Sequence, residues 1–229
     1  MLKLAPVLLA VAWGLFVYLA SARRVRKELD RNSKPCGDKR LNDLVARLAD
    51  ELELDHIPVF VHESRELNGT VSPDGRVFIT RGFLDKYHLG QVTAEELSTV
   101  VAHELGHLAL DHTQARMLDF ATQNAMRAAL HMVVGRFLPI VGGMVAGFAV
   151  SLLTAKLSRS DEFEADKFAA LLLLKSGIGT KPQISLFRKL PTLTGLNVSQ
   201  IAWLTASHPS PEARVAAIEA IQSEFNATA

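Results

Sequence analysis

Two histidines with a glutamate after the first, His103-Glu104-Leu105-Gly106-His107, lie in the apolar stretch 100–108. On a helix, residues four apart share a face one turn apart, so both imidazoles can reach a single metal ion. Zinc is the ion such a pair ordinarily serves, with nitrogen and oxygen ligands and one position left for water. Glu104 projects near the metal without occupying the ligand face, which suits a general base that takes a proton from water attacking a carbonyl. That chemistry is hydrolysis of a peptide bond without a covalent intermediate.

Two histidines do not complete a catalytic zinc site, so a third ligand is required from another histidine or from a carboxylate on a rigid element. The best candidate segment is Ser158-Arg159-Ser160-Asp161-Glu162-Phe163-Glu164-Ala165-Asp166. Glu162 and Asp166 are four apart and share a helix face, while Glu164 points away from it. The coherent assignment is Glu162 on the metal and Asp166 behind it, accepting the outer N–H of a ligand histidine and so fixing its tautomer.

The elements that must position these groups follow from periodicity and punctuation. Residues 38–54 carry Leu41, Leu44, Val45, Leu48 and Leu52 at helical spacing. Residues 57–61 and 76–80 read as short strands, the second after the turn signal Pro73-Asp74-Gly75. Thr93 and Glu96 form a capping box for a helix running to about Asp111, with Leu97, Val100, Val101 and Leu108 as its core stripe. Further helices are predicted over 160–174, over 180–190 ahead of Pro191, and from Ser210-Pro211 to about Gln222. The expected fold class is α+β and mainly helical.

Composition adds limits. A net charge of +1 makes no case for nucleic acid, and a single cysteine, Cys36, excludes an internal disulfide or a cysteine-rich zinc site. Residues 4–22 form a run of 19 without a charge, long enough to cross a bilayer, followed by Arg23, Arg24, Arg26 and Lys27. The expected organisation is an anchor over 1–22, a basic linker over 23–38 and a catalytic domain over 39–229. The basic flank puts that domain on the cytoplasmic side. A cleaved signal peptide ending at Ala20-Ser21-Ala22, with export to the periplasm, is the competing reading.

His-Glu-Leu-Gly-His followed by Ser158-Arg159-x-x-Glu162-x-x-Ala165-Asp166 resembles the HtpX and CaaX prenyl protease superfamily of zinc metallopeptidases. His208-Pro209-Ser210-Pro211-Glu212-Ala213-Arg214 is similar to its H-P-x-x-x-x-R segment. Asn68-Gly69 ahead of Arg76-Val77-Phe78-Ile79 is similar to its upstream strand pattern, although alanine is more usual than Gly69. The likeness covers residues 41–221. It implies a gluzincin fold with one zinc per chain on His103, His107 and Glu162, Glu104 as base and Asp166 supporting a ligand. It also implies Arg214 near the centre, His208 approaching the zinc or the substrate oxyanion, and an edge strand near Asn68 that pairs with an extended polypeptide. The many membrane spans of the prenyl proteases are lacking, so a prenylated substrate is not expected.

Residues 137–155 form a second uncharged run, interrupted by Pro139 and Gly142-Gly143. Glu162 follows His107 by 55 residues, and both must reach one zinc. A single crossing between them would put the ligands on opposite sides of a bilayer. The run is therefore expected to be a broken helical hairpin packed on the domain or dipped into the membrane interface. The function implied is a membrane-held endopeptidase acting on unfolded or membrane-associated polypeptides; the alternative is a latent binding or chaperone-like module that keeps the zinc fold.

Overall fold

The computed structural model describes residues 26–110, 142–195 and 209–228, with a few single positions between 12 and 24. The chain enters through a helical stretch, 26–32, and passes directly into β1 (Ser33–Pro35). The segment expected as a basic linker thus contributes a helix and a strand. Then come α1 (Lys39–Glu51), β2 (Val59–His62), β3 (Gly69–Val71), β4 (Val77–Thr80), α2 (Arg81–His88) and α3 (Ala94–Ala109). The remaining described elements are α4 (Gly142–Lys175), α5 (Lys181–Thr194) and α6 (Pro211–Thr228).

The sheet has the order β1-β2-β4-β3, with β2 and β4 parallel and both outer pairs antiparallel. Its two faces follow from the period of two along each strand. Val59, Val61, Val71, Val77 and Ile79 turn towards Leu41, Leu48, Leu97, Val101 and Leu173 in the main core. Phe60 and Phe78 turn the other way and stack on each other at 5.4 Å between ring centres. β1 and β3 are the two edge strands, and β3 pairs only with β4 among the described residues.

Local signals start the helices where expected. Asp38 accepts the Leu41 N–H at 2.8 Å and caps α1. Thr93 accepts the Glu96 N–H at 3.1 Å while Glu96 accepts the Thr93 N–H at 2.9 Å, the reciprocal box that begins α3. Ser210 accepts the Ala213 N–H at 3.2 Å ahead of α6.

Three boundaries differ from expectation. α4 begins at Gly142 rather than Ser160, so residues 142–155 belong to the same helix as Glu162. No proline lies between Pro139 and Pro182, and a polar stretch such as Ser158-Arg159-Ser160 changes hydropathy without interrupting backbone hydrogen bonding. α5 runs through Pro191 to Thr194, because a proline so near the C-terminus costs one hydrogen bond and leaves little helix to disturb. α6 extends to Thr228 instead of stopping at Gln222. Among the described residues, no helix is long and apolar enough to cross a membrane. Most of the 4–22 run, and 137–141 of the second, fall outside the described residues.

Candidate metal centre and its cleft

α3 carries His103 and His107, and α4 crosses it carrying Glu162 and Asp166. The crossing is close at Gly106: a Cβ there would stand 2.9 Å from the Ala165 carbonyl oxygen and 3.0 Å from its Cα. Neither of those backbone atoms can rotate away. A glycine at 106 is therefore what lets the helices approach until short carboxylate and imidazole side chains meet.

At that crossing the Nε2 atoms of His103 and His107 lie 3.2 Å apart, and each is 3.5 Å from a Glu162 carboxylate oxygen. Four tetrahedral ligands about 2.05 Å from zinc are separated by about 3.3 Å, so the donor set has the spacing a zinc ion requires. Glu162 and His107 are buried, at 5% and 7% exposure. Two imidazoles and one carboxylate converging in a buried site suit zinc in chemistry as well as spacing.

Behind the donors lies a second polar layer. His103 Nδ1–H donates to Asp166 Oδ1 at 3.0 Å. A carboxylate can only accept, so this contact keeps a proton on Nδ1, and when the imidazole is neutral it is the Nε2 lone pair that faces His107 and Glu162. Asp166 is 1% exposed and receives Arg214 on both oxygens, Nε on Oδ2 and Nη2 on Oδ1, each at 2.6 Å. The Arg214 guanidinium lies 4.1 Å over the Phe187 ring and its Nη2 is 3.6 Å from Glu162. α6 and α5 thereby fix the orientation of a residue on α3. Gln183 donates to the Asp166 backbone carbonyl at 3.3 Å, and its buried Oε1 has no hydrogen-bond partner among the described residues.

The electrostatics follow from burial opposed by pairing. Burial would lower the His103 pKa, but the Asp166 and Glu162 carboxylates outweigh it and raise the value from 6.5 to about 9. Glu162 is held well below the usual carboxylate range because the two histidines overcome its desolvation. Asp166 is lowered too, against its burial, chiefly by Arg214 and then by His103.

These groups open onto a cleft of about 410 Å³ that Glu104, Asn68, Gly69 and Thr70 also line. Thr80 N–H donates to the Asn68 carbonyl and Ser72 N–H to the Arg76 carbonyl, so positions 68, 70 and 72 spend their backbone groups on β4. By the alternation of an antiparallel pair, Gly69 and Val71 direct theirs to the outer edge, which is unpaired among the described residues. A Cβ at Gly69 would meet Val100 Cγ1 at 2.7 Å and Glu104 Oε1 at 3.0 Å, so this edge runs directly against the metal helix.

The structure therefore brings together His103, Glu104, His107, Glu162, Asp166 and Arg214, with Asn68 at the same cleft, while His208 lies outside the described residues. Sequence reasoning missed Gly106, Gln183 and Phe187. The small residue inside the histidine motif was a legible sign of the first. The spacing of Gln183, Leu186, Phe187 and Leu190 on one helical face was a sign of the other two.

The profile of peptidase family M48 matches residues 35–222. The chain is 29% identical over 157 residues to the metalloprotease YcaL of Escherichia coli (strain K12), covering 69% of this chain and 60% of that protein. It is 27% identical over 212 residues to an HtpX homologue of Janthinobacterium sp. (strain Marseille), covering 80% and 71%. Over 148 residues it is 26% identical to the mitochondrial metalloendopeptidase OMA1 of Arabidopsis thaliana, covering 65% and 28%. The chain thus spans about 60% of the length of YcaL and of a second E. coli metalloprotease, LoiP.

Proposed function

The chain belongs to peptidase family M48, and from that premise we propose that it is a zinc-dependent endopeptidase, tethered to a membrane by an N-terminal helix, that cleaves unfolded or membrane-associated polypeptides. The observation that carries the reading is the convergence of His103, His107 and Glu162 at ligand spacing in one cleft with Glu104 and an open strand edge. A bound zinc ion would supply Lewis-acid polarisation of the scissile carbonyl and acidify a water molecule.

The protein's own residues do the rest. The open edge at Gly69 and Val71 takes the backbone of an extended chain, which recognises polypeptide without demanding a sequence. Glu104 accepts the proton of the attacking water and delivers it to the amine that leaves when the C–N bond breaks. Asp166, neutralised by Arg214, holds His103 in the tautomer that presents Nε2. The charge-free run over 4–22 with its basic flank supports an anchor whose catalytic domain faces the cytoplasm.

The test compares the zinc-loaded full chain with Glu104→Gln, using unfolded casein as substrate. The variant keeps its zinc and loses ~10²–10⁴-fold in turnover. Normal cleavage by Glu104→Gln would sink the assignment, and zinc binding without cleavage by the wild type would favour a latent binding module.

A further inference from the structure

β3 has a cavity on each of its two faces. Asn68, Gly69 and Thr70 line the cleft of the metal centre, and the same three residues line a second cavity of about 300 Å³. Phe78 lines that second cavity, which puts it on the sheet face turned away from the main core, and Glu28 and Leu29 of the entering helical stretch close its far side. The chemistry above uses only the first. Beside His62, the charged groups lining the outer cavity are Glu28 and Glu66, both exposed and neither held in an ion pair among the described residues. Arg76, which lies over Phe78, is held by Asp74 and Asp30, and Arg81 by Glu63. Lys27 and Arg31 line a separate groove of the same helical stretch, so no described lysine or arginine lines this cavity.

Which side chains of a bound polypeptide reach this cavity follows from strand alternation. Residues level with one another on neighbouring strands share a face, and successive residues of one strand change face. Gly69 is level with Ile79 and Val71 with Val77 on the core side, whereas Thr70 is level with Phe78 on the outer side. A Cβ at Gly69 would meet Val100 and Glu104. A chain added along β3 therefore sends the side chain level with Gly69 towards Glu104 and the next one, level with Thr70, over the outer cavity. The opposite edge of the sheet discourages such addition, because β1 carries Lys34 and Pro35. β3 reads Gly-Thr-Val and has neither a charge nor a proline to oppose it.

We propose that the cavity between β3 and the entering helical stretch is a second substrate subsite, which takes a lysine or arginine side chain one residue away from the side chain that faces Glu104. The alkyl stem of such a residue lies along Leu29 and Phe78, and its cation meets Glu28 and Glu66. A glutamate at the same place meets two like charges and is rejected, so attraction and repulsion both contribute to the selectivity. This subsite rests on the peptidase reading and adds to it a specificity set on the face of the sheet opposite the metal.

The test uses the zinc-loaded full chain and peptides copied from a site it cuts in unfolded casein, varied to Lys, Gln or Glu at one position at a time within a few residues of the bond. At one position kcat/KM for Lys exceeds that for Glu by about tenfold, since each exposed pair is worth little but the two carboxylates act together. Raising the salt to about 0.5 M narrows the ratio, because both carboxylates are open to screening. In the double variant Glu28→Lys, Glu66→Lys the preference at that position inverts, and in Glu28→Gln, Glu66→Gln it disappears, with zinc content and melting transition as checks of folding. The two variants keep the result decisive where one fails to fold. Equal rates for Lys and Glu at every position, or an unchanged ratio in the folded variants, overturn the proposal. Binding of the same peptides to Glu104→Gln, read by fluorescence anisotropy, separates the two readings. A Lys preference there that the Glu28 and Glu66 substitutions remove, with no cleavage by the wild type, would leave the subsite standing and remove the peptidase.

Discussion

Among the described residues two arginine–aspartate pairs sit against aromatic rings, and they differ in surroundings. Arg214 grips Asp166 through two bonds of 2.6 Å beneath α5 and α6, where Asp166 is 1% exposed. Arg76 lies over Phe60 and Phe78 on the outer face of the sheet and holds Asp74, whose side chain is 38% exposed, together with Asp30. Both aspartates are acidified: Asp74 reaches about 2 through Arg76 and Ser72, and Asp166 falls despite its burial. The outer pair fastens the entering helix to the β3–β4 turn in contact with water. The inner pair has no solvent to replace it, and its carboxylate also orients His103. The same two side chains are therefore expected to be replaceable in one place and hard to replace in the other.

The largest expected effect comes from Arg214→Met. It strips the buried Asp166 charge of its cation, which costs about 3–5 kcal/mol of stability and lowers zinc affinity by about 10–100-fold. Denaturant titration and chelator competition measure both, and a loss under 1 kcal/mol would erase the contrast with Arg76.

Next in size is the pH response of the inner site. Zinc needs His103 deprotonated, so apparent affinity rises about tenfold per pH unit from 7 towards 9, where the raised pKa lies. The metal-free protein responds in the opposite sense. A histidine whose folded pKa exceeds 6.5 contributes stability that is fully present below that pH and is lost as pH rises through about 9. A flat zinc affinity between pH 7 and 9 would separate His103 from Asp166 as a coupled pair.

Gly106→Ala probes the approach of α3 to α4 that makes the inner pair possible. The added methyl meets backbone at Ala165, so about 1–3 kcal/mol is lost and the zinc site weakens with it. Unchanged zinc affinity would mean the helices yield without disturbing the donors. The smallest change is expected for Arg76→Met, about 1 kcal/mol or less, with zinc affinity untouched. A large loss there would show the outer cluster to be as hard to replace as the inner pair.

Legibility in the sequence followed the range of the interaction. His103 and His107 could be paired because one helix turn joins them, and Thr93 with Glu96 could start that helix because a cap is local. Glu162 and Asp166 were found by the same rule applied 55 residues later. β1 was not legible, and β3 was expected only through the resemblance that puts an edge strand near Asn68, since strands of three residues carry too little alternation to register and exist only through pairing with β2 and β4. The start of α4 was misplaced because a change from apolar to polar residues was read as a boundary. Val100 was assigned to the core stripe, yet it is half-buried and faces the cleft; periodicity gives a helix face but not what covers it.

By itself the sequence determined which groups could hold a metal and which could move a proton, because those properties belong to residue types at helical spacing. For a zinc shared by His107 and Glu162, it also excludes a lone membrane crossing between them. Only the tertiary structure decided that the donors converge, that Arg214 from the last helix holds Asp166, and that β3, whose outer edge no described residue pairs, runs past Glu104. Those are distances between elements far apart in the chain. They are set by how closely helices and strands can pack, as at Gly106 and Gly69, and no local pattern encodes them.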